Sequence, residues 1–263
     1  MQLKLSLFLF CLFFANCSNS ETIKEIVEPV EEEMNTSTRD TVFAVTFSAP
    51  DGLVISGDLY QVAEDAPVFV LCHQSGFNRT EHSETANTLM ERGYNCLTID
   101  QRAGGLLNDE DNETAKRAIA EGFPLSFLDA EQDIIAAINF MVDRYNQPVI
   151  LLGSSYSSSL SLKIATENQH VKAVLAFSPG EYFGNDLNVA TAITGLDKPT
   201  FMTSAKGEAL IVQPLAAVVN QNQITHFIPE ANGAHGARVL WPAQVFSEEY
   251  WTALNAFLAK HEL

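Results

Sequence analysis

Val149-Ile150-Leu151-Leu152-Gly153-Ser154-Ser155-Tyr156-Ser157 passes, with no spacer, from a short apolar run to a serine set among small residues. The run predicts a strand at 149–153 buried on both faces, as in a parallel sheet. The Ser-rich segment 155–168 has apolar positions at helical spacing and predicts a helix that starts where the strand stops. A serine on so sharp a strand-to-helix turn needs small residues two before and two after it, because the backbone must pass closely there. Gly153 and Ser157 fill those places, giving G-x-S-x-S. The turn would expose the Ser155 hydroxyl and aim the Tyr156 backbone N–H at the same spot. A Ser-rich helix start is also a good cap and nothing more, so the rest of the chain has to decide.

Working outward, similar apolar runs recur at 68–72, 96–100, 171–177, 200–204 and 224–228. Helix-period segments at 82–92, 126–145, 208–220 and 240–261 separate or follow them. Strand and helix alternate from Pro67 onward, which predicts a mostly parallel sheet with helices on both faces. Ahead of it, 41–47 and 53–60 flank Pro50-Asp51-Gly52 and predict an antiparallel opening hairpin. The expectation is an α/β fold of about eight strands over residues 41–263.

The chain of 263 residues carries 15 Lys+Arg against 33 Asp+Glu, a net charge of −18. A phosphate backbone is held by clustered cations, so nucleic acid is excluded as a partner, and anionic headgroups are a poor docking surface. Four cysteines (Cys11, Cys17, Cys72, Cys96) with no CxxC give neither a disulfide scaffold nor a zinc site. Cys72 and Cys96 fall on neighbouring parallel strands near opposite ends, which places them as buried, unpaired small residues.

The amino terminus reads as an address. Lys4 supplies one positive charge, and residues 5–15 are almost wholly apolar. That is short of the roughly 20 residues of a membrane span but fits a signal h-region of about 7–15. Phe14-Ala15-Asn16-Cys17 then resembles the lipobox of bacterial lipoproteins, with Phe14 where leucine is usual and Asn16 where a smaller residue is usual. The resemblance implies a signal peptide at 1–16, lipidation at Cys17, and an exported protein anchored at a periplasmic or outer-membrane face. An ordinary cleaved signal with an incidental cysteine is the alternative. Residues 17–40, with Glu28, Glu31, Glu32 and Glu33 and few large apolar residues, read as a flexible acidic tether.

In open α/β sheets the ligand site lies outside the carboxyl ends of the strands. His235 falls there, in Ala231-Asn232-Gly233-Ala234-His235-Gly236 after the last strand. A serine hydroxyl needs a base within hydrogen-bond reach, itself oriented by a third group, and the chain order for this architecture is nucleophile, acid, histidine. Glu208, after the strand at 200–204, is the expected acid, with Asp186 as runner-up; a carboxylate at a helix start also serves the dipole alone. The loop His73-Gln74-Ser75-Gly76 follows the strand at 68–72. Its Gln74 N–H is the expected second oxyanion donor beside that of Tyr156, and His73 reads as a loop brace. Asp100-Gln101-Arg102-Ala103-Gly104-Gly105 reads as a structural ion pair with glycines for positive φ. Segments 108–124 and 180–196 are placed to build a pocket wall or a small lid.

With these residues in hand, the chain resembles the α/β-hydrolase fold superfamily, and within it the dienelactone-hydrolase-like esterases, over residues 41–263. The resemblance implies a Ser-Asp/Glu-His hydrolase with Ser155, Glu208 and His235 at the matching positions. Dienelactone hydrolases carry cysteine as nucleophile and aspartate as acid, where this chain has Ser155 and Glu208. The function expected is hydrolysis of a small-molecule carboxylic ester through an acyl-enzyme, with no metal or organic cofactor and with the membrane met only through Cys17. A peptidase or an acyltransferase on the same triad, and a non-catalytic surface lipoprotein that kept the fold, are the rival readings. The oligomeric state is left open.

Overall fold

The computed structural model describes residues 41–263. The expected signal peptide (1–16), the lipidation site Cys17 and the acidic tether (17–40) lie outside the described residues. The chain opens with β1 (Thr41–Ser48) and β2 (Val54–Gln61), paired antiparallel with Val45 opposite Gly57. Their turn is closed by the Leu53 N–H donating to Asp51 Oδ1 at 3.2 Å and by Gly52 at φ 94°, a conformation glycine adopts without a Cβ penalty.

There follow β3 (Val68–Cys72), α1 (Ser83–Met90), β4 (Asn95–Ile99), α2 (Glu113–Glu121), α3 (Glu131–Tyr145), β5 (Val149–Ser154) and α4 (Tyr156–Glu167). Then come β6 (Val171–Phe177), α5 (Val189–Ala192), β7 (Thr200–Thr203), α6 (Ala209–Val218), β8 (Ile224–Phe227) and α7 (Ser247–Lys260). The strands form one eight-stranded sheet in the order β1-β2-β4-β3-β5-β6-β7-β8. Only β2 runs against the rest: it pairs antiparallel with β1 and β4, and every later pairing is parallel.

Every residue of β3, β4 and β5 is buried, which is why these strands read as mostly apolar runs and not as alternation. Alternate side chains feed two cores. Val68, Val70, Leu97, Ile99 and Leu151 pack with Ile134 and Ile138 of α3 and Leu160 of α4. Phe69, Leu71, Ile150 and Leu152 pack with Leu89 of α1 and with Tyr250, Leu254 and Phe257 of α7. Helices therefore cover both faces, as expected. Cys72 and Cys96 lie three register positions apart on β3 and β4, in opposite cores, and both are free. Burial pushes both thiols well above their ordinary range.

Several boundaries differ from expectation for local reasons. The 126–145 segment becomes helical only at Glu131, because the Ser126 N–H and hydroxyl both turn back to Asp129 Oδ2, at 2.9 and 2.6 Å. The last segment is helical from Ser247, with a separate 3-10 turn at Ala237–Leu240 before it. Segment 108–124 contains α2, capped by Asn112 Oδ1 accepting the Ala115 N–H at 2.7 Å and ended by Gly122 at φ 78°.

The Asp100-to-Gly105 reading needs correcting twice. Asp100 and Arg102 do not pair with each other; each finds its partner on a neighbouring element. Asp100 accepts from Arg79 Nη1 at 2.7 Å, while Arg102 donates to Asp133 Oδ1 and Asp51 Oδ2, both at 2.7 Å. Gly104 and Gly105 do not sit at positive φ. They are glycines because of close approach: a Cβ on Gly104 would meet His73 Cε1 at 2.8 Å, and one on Gly105 would meet the Gly76 carbonyl at 2.8 Å. The turn after β4 is thereby packed backbone-to-backbone against the loop after β3.

Candidate active site

β5 ends at Ser154 and α4 begins at Tyr156, so Ser155 alone makes the turn, at φ 59° and ψ −124°. A non-glycine residue in that region is strained and persists only where its surroundings hold it. The Ser155 N–H donates to the Phe177 carbonyl at 2.8 Å, tying the turn to β6. A Cβ on Gly153 would meet Ser158 Cα at 2.5 Å and the Ser157 carbonyl at 2.6 Å, so the first small position must be glycine. The second position is different in kind. Ser157 Oγ accepts the Ser154 N–H at 2.9 Å and lies 2.9 Å from the Cys72 carbonyl, fastening the elbow to β3 as a glycine could not.

The loop after β8 brings His235 over this turn. Ser155 Oγ and His235 Nε2 are 2.8 Å apart, and His235 Nδ1 and Glu208 Oε1 are 2.7 Å apart. With Nδ1–H donating to the carboxylate, Nε2 is left as the acceptor for the serine hydroxyl. Glu208 closes a 3-10 turn (Lys206–Glu208) just past β7; its Oε2 accepts from Ser178 Oγ at 2.7 Å and from the Ala205 N–H at 3.3 Å. Burial works to raise the Glu208 carboxyl, but the bonds from His235 and Ser178, the electrostatic attraction of the His235 ring and the Ala205 N–H hold it below its ordinary range. Ser178 Oγ also accepts the Gly236 N–H at 2.9 Å, so the acid and the histidine loop share a support. Gly236, at φ 75°, has no room for a Cβ, which would meet Ser154 Oγ at 2.6 Å. Asp186 is exposed, and its carboxylate accepts no hydrogen bond among the described residues.

The oxyanion expectation splits. Tyr156 is the first residue of α4, so its N–H has no carbonyl within the helix to meet. The Gln74 N–H, expected to face the serine, instead donates to Glu81 Oε2 at 2.7 Å. The next peptide unit offers the alternative. The Gln74 carbonyl accepts from His73 Nδ1–H at 2.8 Å and from the Phe77 N–H at 3.2 Å, which fixes that peptide plane. The Ser75 N–H lies trans to this carbonyl and so points the opposite way, on an exposed residue, with no acceptor among the described residues. Sequence alone picks out the loop but not which of its peptide planes turns outward. His73 is the brace it was read as: its Nε2 accepts the Gln101 N–H at 2.9 Å, and burial lowers it to about 4, so the ring stays neutral.

Glu81, Ser154 and Ser178 were not singled out by sequence. Glu81 stands in Asn78-Arg79-Thr80-Glu81, a polar run that reads as solvated surface, yet it is fully buried. A pocket of about 280 Å³ opens beside the loop after β3, walled by Ser75, Gly76, Ala103, Ile119, Leu125 and Phe127. The Phe127 ring stacks on Tyr156 with centroids 4.5 Å apart. Of the segment 108–124, Ala115 and Ile119 of α2 lie on this wall. From 180–196, the Tyr182 hydroxyl donates to the Ser178 carbonyl at 2.7 Å. A wider groove of about 870 Å³ runs along β8 and α7 past Phe227, Val245 and Phe246, and shares no residue with the Ser155 centre. Among the described residues, no three His, Cys, Asp or Glu side chains are grouped so as to hold a metal ion.

No family model and no curated protein matches the sequence. Solved structures do match. An esterase of Pyrococcus furiosus superposes with a TM-score of 0.67 at 18% identity, over 84% of this chain and 93% of its own. The esterase domain of a Rhodothermus marinus protein gives 0.59 at 15%, over 84% and 99%. Dienelactone hydrolase from Anabaena variabilis gives 0.63 at 16%, over 84% and 98%. At such identities the likeness establishes the fold.

Proposed function

We propose that this protein of α/β-hydrolase, dienelactone-hydrolase-like fold is a serine hydrolase that cleaves a carboxylic ester through an acyl-enzyme. The observation that carries the reading is the unbroken relay from Ser155, on its strained turn, through His235 to Glu208. In this mechanism Ser155 Oγ attacks the ester carbonyl while His235 Nε2 takes its proton. Glu208 fixes the tautomer and offsets the positive imidazolium. The Tyr156 and Ser75 N–H groups donate to the carbonyl oxygen as it becomes negative, each such donor being worth about 3–4 kcal/mol. His235 then protonates the departing alkoxide. A water deprotonated by the same ring releases the acid and restores the hydroxyl.

Esterases among the structural neighbours favour an ester over an amide. The apolar wall of Ile119, Leu125 and Phe127 suits an uncharged acyl or alcohol group. Export and anchoring at Cys17 belong to the same proposal and rest on the amino-terminal sequence.

The test is rapid mixing of the full chain with p-nitrophenyl acetate. The expected result is a burst of p-nitrophenol equal to the enzyme concentration, followed by slower steady turnover, with an acetylated protein trapped by acid quench. A folded protein that shows neither turnover nor acetylation would overturn the reading.

A further inference from the structure

Of the three carboxylates that are fully buried among the described residues, two lie against guanidinium groups: Asp100 against Arg79 and Asp133 against Arg102. The third, Glu81, meets hydrogen-bond donors from the segments that carry the Ser155 centre. Its Oε2 accepts the Gln74 N–H at 2.7 Å, and its Oε1 accepts the Ser154 hydroxyl at 2.8 Å and Gln74 Nε2–H at 3.3 Å. Ser154 Oγ in turn accepts the Ala237 N–H at 2.8 Å, two residues beyond His235. The Glu81 carbonyl accepts Trp241 Nε1–H at 2.6 Å, just past the same 3-10 turn. One residue thus ties the loop after β3, the elbow and the histidine loop together.

From this we propose that Glu81 is a positioning residue for the hydrolysis put forward above, on which this inference rests. By holding the Gln74 N–H inward its carboxylate leaves the Ser75 N–H as the donor that faces the substrate oxygen. Through Ser154 it keeps the loop bearing His235 seated over the elbow. It touches no reacting atom.

The clamp works only as a carboxylate. A protonated Glu81 carries a donor where the Gln74 N–H or the Ser154 hydroxyl needs an acceptor. Burial raises this carboxyl to about 7, against the pull of the Gln74 and Ser154 bonds and of Arg238 and His235. The other titratable groups around it stay uncharged near neutrality. Burial holds His73, before Gln74, and His82, next to Glu81 in the 3-10 turn Arg79–His82, down at about 4, and pushes the Tyr156 phenol well above its ordinary range. Activity therefore needs Glu81 as a carboxylate as well as His235 Nε2 free to accept the serine proton, so the acid limb of the profile should be steeper than one ionisation gives.

The experiment is kcat and KM for p-nitrophenyl acetate against pH, for the wild-type chain, Glu81→Gln and Glu81→Asp, with folding checked by circular dichroism. The wild type should give an acid limb of log kcat/KM with a slope above one. Glu81→Gln should lose about 10- to 100-fold in kcat with KM little changed, the scale of a displaced catalytic group, and its limb should fall to a slope of one. Glu81→Asp, which keeps the charge, should recover the steep limb. If Glu81→Gln does not fold, the wild-type slope decides alone. A wild type that turns over with a slope of one, or a folded Glu81→Gln with wild-type kcat and slope, overturns the role of Glu81 and leaves the hydrolase standing. A wild type with no turnover overturns the hydrolase and this inference with it.

Discussion

Replacing His235 with alanine is expected to lower kcat for a p-nitrophenyl ester by about 10⁶-fold while leaving the protein folded. The magnitude follows from what the ring does in the geometry. A neutral serine hydroxyl is a weak nucleophile, and Nε2, 2.8 Å away, is the acceptor poised for its proton. Without the ring that proton has nowhere to go as the bond to carbon forms, and the leaving alkoxide has no acid to meet it. What remains is binding and the two N–H donors, which sustain only a residue of about 10³–10⁴ over water. The fold should tolerate the change because the side chain is 35% exposed on a loop and fills no core. The Ser155→Ala/His235→Ala double variant should be no worse than either single variant, since the two act as a unit. Steady-state turnover with a thermal melt checks both points, and activity within tenfold of wild type would remove His235 from the mechanism.

Glu208→Ala should cost about 10⁴-fold in kcat, while Asp186→Ala should leave kcat unchanged. The contrast is geometric: Glu208 Oε1 lies 2.7 Å from His235 Nδ1, whereas the Asp186 carboxylate is exposed with no partner among the described residues. Glu208→Gln should be nearly as damaging as alanine, because an amide can present a donor to Nδ1 and stabilise the wrong tautomer. The depressed carboxyl also fixes a pH sign. A group held below its ordinary range in the fold contributes stability that is present above that range and is lost as pH falls through its folded value. Glu208 is therefore ionised throughout the neutral range, and the acid limb of the activity profile belongs to other groups. Equal loss in both alanine variants, or in Asp186→Ala alone, would reassign the acid.

Most of the fold could be read from sequence because strands buried on both faces must be apolar throughout, and the runs at 68–72, 149–153 and 173–177 have that character for that reason. Helix α2 could not, since it buries only Thr114, Ala115 and Ala118 and so shows no wide apolar stripe. Within the site, Ser155 and His235 announced themselves by small neighbours at strand ends, where close backbone passage demands them. Glu81 gave no such sign. Its burial comes from the elbow and the histidine loop closing over it, residues far away in sequence. The same holds for Asp100 and Arg102: opposite charges two residues apart suggested a pair, but their partners are chosen by the packing of α3 and of the loop after β3. Gln74 differs again: its N–H and that of Ser75 lie on adjacent peptide planes, the first held by Glu81 and the second by His73.

The central claim is that Ser155 is an activated nucleophile. The most direct measurement is incubation of the full chain with a fluorophosphonate, followed by mass mapping of the adduct, beside Ser155→Ala. The account predicts one adduct, on Ser155, absent from the variant. A folded wild type that takes up no label, or a label that persists in Ser155→Ala, would contradict it.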